Sequence, residues 1–212
     1  MRVVVVGAGG HARSLIDALR TSSAEFEPVA CTDPRAELRG QTLDGVPVVG
    51  DDSSLAALRA DGVVAACLGV GGTGDNGPRA RLYAHLRELG FELPTVVHAH
   101  AFISASTQLG AATVALAGSI VGPGAIVADN VIVNSGAIVE HDCRIGDHVH
   151  LASGCVLGGN VTIDAEAHVG LGACILQRRH IGAGAVVGAG AVVIRDVPAA
   201  AVVTGVPAHP RT

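Results

Sequence analysis

The most polar stretch in the second half of the chain reads Val139-Glu140-His141-Asp142-Cys143-Arg144, then Ile145-Gly146-Asp147-His148-Val149-His150. His141 stands between two carboxylates. An imidazole titrating near neutral pH suits the removal of a proton from an attacking amine or hydroxyl. A carboxylate on one ring nitrogen would fix the tautomer and stabilise the imidazolium that forms. Adjacency alone leaves Glu140 and Asp142 equally placed for that task. A second candidate lies at the amino terminus, where Gly7-Ala8-Gly9-Gly10-His11-Ala12 follows an apolar run and Asp33 ends the next one. Glycine-turn amides at a helix start suit a phosphate or carboxylate, and Asp33 is placed to accept hydrogen bonds from a base or ribose. His11 stands at the same turn as a candidate substrate contact.

The elements that must position these groups fall into two kinds. From Ile103 onward, every sixth residue through Val193 is Ile, Leu or Val, Ala115 excepted. The fifth position of each hexamer is small or β-branched, with Arg179 as the break, and Gly or small polar residues recur at the second and fourth. This is a prism: three short strands per coil, one aliphatic side chain inward from each, coils stacked as parallel strands about 4.8 Å apart. With three hexamers per coil, His150 and His168 should stack on one face, lining a ligand groove or a seam between subunits. Cys143 and Cys155 occupy the small fifth position and read as buried rather than nucleophilic. Arg178 and Arg179 form an outward loop, open to a phosphate or to solvent.

Residues 3–6, 29–32, 46–49 and 63–68 read as strands alternating with helices over 12–20, from Ser53 or Ser54, and after Asp75 or Asn76. That pattern implies a parallel sheet. Gly7-x-Gly9-x-x-Ala12 with Asp33 formally matches a dinucleotide fingerprint, but the second nucleotide-binding half is missing. The expectation is therefore a small Rossmann-like domain over residues 1–94 that binds a single nucleotide. Residues 95–212 form the β-helix with a short tail.

The composition fits. The chain of 212 residues is 49% hydrophobic yet only 2% aromatic, so Val, Ile, Leu and Ala must fill the core. A net charge of −5 gives no reason to expect nucleic acid or an anionic membrane. The apolar runs are too interrupted for a transmembrane span, and Met1-Arg2 leads into a strand rather than a signal segment. Five cysteines without paired spacing read as reduced thiols in a cytoplasmic protein. No fixed set of histidine, acid or thiol ligands marks a metal site.

The repeat resembles that of the hexapeptide-repeat acyltransferases, and from that likeness comes the expectation of a left-handed β-helix. The run Asn134-Ser135-Gly136-Ala137-Ile138-Val139-Glu140-His141-Asp142-Cys143, with Gly9-Gly10-His11, Asn76-x-x-Arg79 and Gly205-Val206-Pro207-Ala208, is similar to the sugar O- and N-acetyltransferases of the NeuD/PglD type. The resemblance implies catalysis by His141 with Asp142. It implies acetyl-CoA contacts at His150, Leu171 and Ala189, and nucleotide-sugar contacts at Gly9, Gly10, His11, Asp33 and Gly69. A homotrimer with acetyl-CoA along the β-helix between neighbouring subunits is expected, since a solenoid with an apolar, glycine-rich flank suits one. Departures are Asp142 where some members carry Glu, a long glycine-rich loop over 69–77, and Pro34 where a second acid can occur. The expected reaction is N-acetylation of a UDP- or GDP-linked amino sugar. O-acetylation of sialic acid or a related hydroxyl, and a non-catalytic or metal-binding scaffold, stand as the other readings.

Overall fold

The computed structural model describes residues 1–211; Thr212, the last residue of the expected second domain, lies outside them. The chain opens with β1 (Arg2–Val6), whose four valines are buried on both faces as a central parallel strand requires. Helix α1 (Gly10–Thr21) follows and buries Ala12, Leu15, Ile16, Ala18 and Leu19. Next come β2 (Glu27–Thr32), the short β3 (Thr42–Leu43), β4 (Val46–Gly50), α2 (Leu55–Ala60), β5 (Ala65–Leu68) and α3 (Gly77–Glu88). The sheet order is β3-β4-β2-β1-β5, parallel except for β3 against β4. This is a small α/β unit with β1 and β2 feeding the glycine turn and Asp33 to the same carboxyl edge.

Two helix starts differ from the sequence expectation. Asp51, not a serine, caps the turn before α2, accepting from Ser53 N at 3.0 Å. Asn76 is the residue before α3, but its amide does not cap the helix; it donates to Glu166 O and Ala167 O of the second unit at 3.1 and 3.0 Å.

The second unit is a left-handed parallel β-helix of three sheets. Each strand pairs with the one 18 residues on, as in Ile120↔Ile138 and His150↔His168. One sheet is six-stranded, running from Phe102–Ile103 to Val192–Val193. A five-stranded sheet runs from Gln108–Leu109 to His180–Ile181. An eight-stranded sheet starts at Val96–Val97 and closes with Val202–Thr204 and the antiparallel His209–Pro210. The inward aliphatic column from Ala115 to Val193 is buried throughout, and each such side chain contributes about 1.5–3 kcal/mol. The corners need a left-handed residue. Glycine supplies it at some of them, Gly124 and Gly136 included, and Asn130, Asp142, His148 and Asn160 adopt φ of 54 to 62° at others.

The outward residues of the three sheets differ in kind. Those of the eight-stranded sheet from Val96 to His168, including Ile132 and His150, are buried beneath the α/β unit, while Val202 at its far end is exposed. Helix α3 clamps the corner beside that sheet: Arg79, fully buried, donates to Asn130 O, to Asn130 Oδ1 at 2.9 Å and to His148 O at 2.6 Å, and Tyr83 Oη donates to Asp129 at 2.7 Å. The six-stranded sheet carries Phe102, Ile120, Ile138, Val156, Cys174 and Val192 outward, with Phe102 60% exposed. The five-stranded sheet instead presents Gln108, Ile126, Arg144, Thr162 and His180, all but one polar or charged.

Candidate active site

His141 and Asp142 sit in a corner between the six-stranded and five-stranded sheets, between strands Ile138–Val139 and Arg144–Ile145. Asp142 Oδ2 lies 2.9 Å from His141 Nδ1, so Asp142 and not Glu140 meets the ring. The left-handed backbone at Asp142, φ +58°, turns its side chain back onto the preceding residue. A carboxylate on Nδ1 keeps the proton there and leaves the Nε2 lone pair free to accept another. The imidazole is about half exposed, with a side-chain accessibility of 53%. A pocket of about 450 Å³, with Glu140, Asn160 and Arg178 on its walls, surrounds it.

Glycines in the adjoining coils give both side chains their room. Gly159 follows His141 by one coil, and a Cβ built on it would stand 2.4 Å from Nε2 and 2.6 Å from Cε1. Gly124 precedes Asp142 by one coil, and a Cβ there would stand 2.7 Å from Asp142 Oδ1. The ring and the carboxylate each fill the space that a side chain on the neighbouring coil would take. Sequence reasoning missed both glycines, although one coil's offset from the His-Asp pair points to them.

His150, Leu171 and Ala189 line a different space, an apolar groove of about 420 Å³ beneath the loop at residues 72–74. His150 Nδ1 donates to Gly72 O at 2.8 Å and Nε2 accepts from Asn134 Nδ2 at 3.2 Å. Burial pushes its pKa down to about 3, helped by His168, Arg79 and His11, so the ring is neutral. Both of its nitrogens have protein partners. A ligand in the groove would meet the ring's carbon edge or displace one of them. His168 stacks edge-on against His150 with centroids 5.0 Å apart, and its buried Nδ1 has no hydrogen-bond partner. Leu171 and Ala189 are exposed at the groove's rim, in the corner between the eight-stranded and six-stranded sheets. Within one protomer the six-stranded face therefore separates this rim from His141, and the two pockets share no residue.

The nucleotide-site candidates are also divided. Gly9 and Gly10 face open space, since a Cβ on either would meet nothing within 4 Å. Gly69 is different: its Cβ would stand 2.8 to 2.9 Å from Val5, Ala12 and Gly7 O, so glycine there serves the packing of two loops. His11 packs against Gly71 with Nε2 buried and unpartnered, and burial with Arg79 lowers its pKa to about 4. Asp33 is 6% exposed and already engaged. Its Oδ2 accepts from Ala8 N at 2.8 Å and Arg35 Nη2 at 2.9 Å, and its Oδ1 from Arg35 Nε and Arg35 N. The Arg35 hydrogen bonds lead in lowering its pKa to about 2. An acceptor role toward ribose or base requires Arg35 to leave. Asp33 and Arg35 wall a cleft of about 560 Å³ at the carboxyl edge of the sheet.

Of the other candidates, Cys143 and Cys155 are fully buried, and burial pushes the Cys155 thiol up to about 12. Arg178 reaches the His141 pocket, while Arg179 pairs with Asp196 at 3.5 Å. Among the described residues no group of three or more His, Cys, Asp or Glu is placed to hold a metal.

Residues 2–86 match the family model of the PglD N-terminal domain, and residues 124–159 match that of the bacterial transferase hexapeptide repeats. The crystal structure of PerB from Caulobacter crescentus, in complex with CoA and GDP-perosamine, is 37% identical with a TM-score of 0.91, covering 100% of this chain and 98% of that one. The chain belongs to the PglD-type sugar acetyltransferases. The acetyltransferase domain of PglB from Neisseria gonorrhoeae, another structure similar to this family member, is 34% identical with a TM-score of 0.90 over 99% of each chain. The same domain in complex with acetyl coenzyme A has a TM-score of 0.89 at 34% identity, covering 99% of this chain and 98% of that one. No curated protein matches the chain in sequence.

Proposed function

We propose that this chain transfers the acetyl group of acetyl-CoA to the amine of a nucleotide-linked amino sugar, with His141 as general base. The observation that carries the reading is the His141–Asp142 pair at 2.9 Å, seated over Gly159 with Nε2 free. Support comes from PerB, solved with CoA and GDP-perosamine, and from the PglB domain, solved with acetyl coenzyme A. The amine nitrogen attacks the thioester carbonyl carbon while Nε2 takes its proton. The tetrahedral adduct then collapses, the C–S bond breaks, and the CoA sulfur leaves as thiolate or takes the proton back from the imidazolium. Asp142 holds the imidazolium throughout, so no covalent enzyme intermediate is needed.

In this reading His150, Leu171 and Ala189 flank acetyl-CoA. Gly9, Gly10, His11, Asp33 and the loop at Gly69 belong to the nucleotide-sugar end, and residues 1–94 and 95–212 divide the two tasks. The working form is a homotrimer. The six-stranded face is apolar along its whole outer row, whereas the five-stranded face carries arginine and histidine, and the α/β unit covers most of the eight-stranded one. Three prisms turning their apolar faces to a threefold axis meet edge to edge. The His141 edge of one then lies beside the Leu171 and Ala189 edge of the next, which joins the two half-sites that one protomer keeps apart. We place the enzyme in the cytoplasm, where both substrates are available; among the described residues no helix is long and apolar enough to cross a membrane.

The test is CoA thiol release with a panel of UDP- and GDP-linked amino sugars, for wild type and His141→Ala. A loss of at least about 100-fold in kcat is expected, the scale of a positioned general base. Full activity in the variant would overturn the role given to His141.

A further inference from the structure

Two cavities meet at Arg35. The larger is the cleft described above, at the carboxyl ends of β1 and β2 beside Gly7 and Val70. The smaller, of about 150 Å³, extends past Arg39 to Asp51 and Ser54. Asp33, Pro34 and Arg35 line both.

Arg35 is built as a fixed donor at this junction. Its Nε and Nη2 bind the Asp33 carboxylate side-on at 2.8 and 2.9 Å, which sets the plane of the guanidinium. The end-on edge, formed by Nη1 and the second hydrogen of Nη2, meets no acceptor among the described residues, and the side chain is 51% exposed. That edge presents two parallel N–H groups in one plane. It fits a pair of acceptors side by side on a flat partner. Guanine offers such a pair in O6 and N7, whereas adenine sets a donor beside its N7. Uracil sets no second acceptor beside its O4. Asp51, which also lines the small cavity, uses Oδ1 to hold Ser53 N and Ser53 Oγ, and Oδ2 meets no donor among the described residues. A carboxylate oxygen there matches the N1–H and N2–H donors on the adjoining edge of the same base. A cavity lined by both a guanidinium fork and a carboxylate is complementary to guanine and mismatched to adenine.

We infer that Arg35, held edge-out by Asp33, reads O6 and N7 of a guanine base in the smaller cavity while Asp51 accepts from its N1–H and N2–H, so that the amino sugar is carried on GDP. The inference rests on the proposed function, in which a nucleotide-linked sugar enters this cleft. It also assigns Asp33 a role other than direct contact: Asp33 orients the residue that makes the contact.

The experiment is calorimetric titration of the whole chain with GDP, UDP and ADP. Wild type should bind GDP at least about tenfold more tightly than UDP or ADP, within the range one bidentate base contact discriminates. Arg35→Lys keeps the charge and the partner of Asp33 but removes the fork. It should abolish the preference by weakening GDP, with UDP affinity within about threefold of wild type. Asp51→Asn should likewise weaken GDP selectively. If Arg35 held a phosphate instead, Arg35→Lys would change GDP and UDP alike, and that result overturns the inference, as does equal binding of GDP and UDP by wild type. Binding of all three nucleotides without preference sinks only the base assignment. Binding of none removes the nucleotide-sugar reading on which it rests.

Discussion

Gly159→Ala tests whether the space over Gly159 is what places the imidazole. The new Cβ would stand 2.4 Å from His141 Nε2 and 2.6 Å from Cε1, against an ordinary contact of at least 3.4 Å, so the ring must retreat by about 1 Å. The contact atom is the one proposed to take the proton, and the ring cannot move that far and keep its 2.9 Å bond to Asp142 unchanged. A misplacement of about 1 Å at a reacting group costs on the order of 100-fold. The backbone itself accepts the change, because Gly159 is not among the residues with positive φ. Alanine there should leave stability unchanged or raise it by about 0.4–1 kcal/mol. The assay is steady-state thiol release with KM for both substrates, thermal unfolding, and the imidazole nitrogen resonances by NMR. The expected result is a fall of about 100-fold in kcat, KM values within about threefold, a melting temperature equal to or above that of wild type and a changed signal for the Nδ1–H held by Asp142. A kcat within about threefold of wild type would refute the reasoning, since the seat would then not matter. Because Gly159 touches the ring and not the fold's core, a loss of activity through unfolding would show in the melting curve instead.

Ile138→Glu places a charge in the middle of the apolar row of the six-stranded face. It should convert the proposed trimer into monomers on light-scattering chromatography and abolish activity while leaving the circular dichroism intact; a fully active trimer would count against the proposed assembly. Stability should fall as pH drops from 7 toward 5. His150 and His11 titrate near 6.5 when unfolded but near 3 and 4 in the fold. Above pH 6.5 both states hold them neutral, and below it the unfolded chain gains protons that the fold refuses. Each histidine then removes up to about 1.4 kcal/mol per pH unit until its folded pKa is reached. Denaturant unfolding of wild type and His150→Gln checks this: the variant should show the shallower slope, and a wild-type stability flat from pH 7 to 5 would contradict the burial.

The period of six was legible because each inward position of a coil repeats the same local demand, so the column from Ile103 to Val193 writes the prism directly into the chain. That His141 has carboxylates beside it was legible for a simpler reason, since neighbours in sequence are neighbours in any fold. The stacking of His150 on His168 followed from three hexamers per coil. Other features depend on contacts between distant residues, and only the tertiary structure decided them. Asp142 rather than Glu140 meets the ring because its left-handed backbone aims it there and Gly124, a coil away, leaves room. Asn76 was readable as a helix cap, but its amide is drawn to carbonyls 90 and 91 residues on, where the α/β unit docks. Asp33 was readable as an open acceptor at a strand end. The fold fills it with Ala8 N and Arg35, because a carboxylate 6% exposed must be paired, and Arg35 is two residues away. Most consequential is the separation of His141 from the His150 groove. Residues nine apart look adjacent in sequence, but half a coil of an 18-residue turn carries them to opposite sides of a prism.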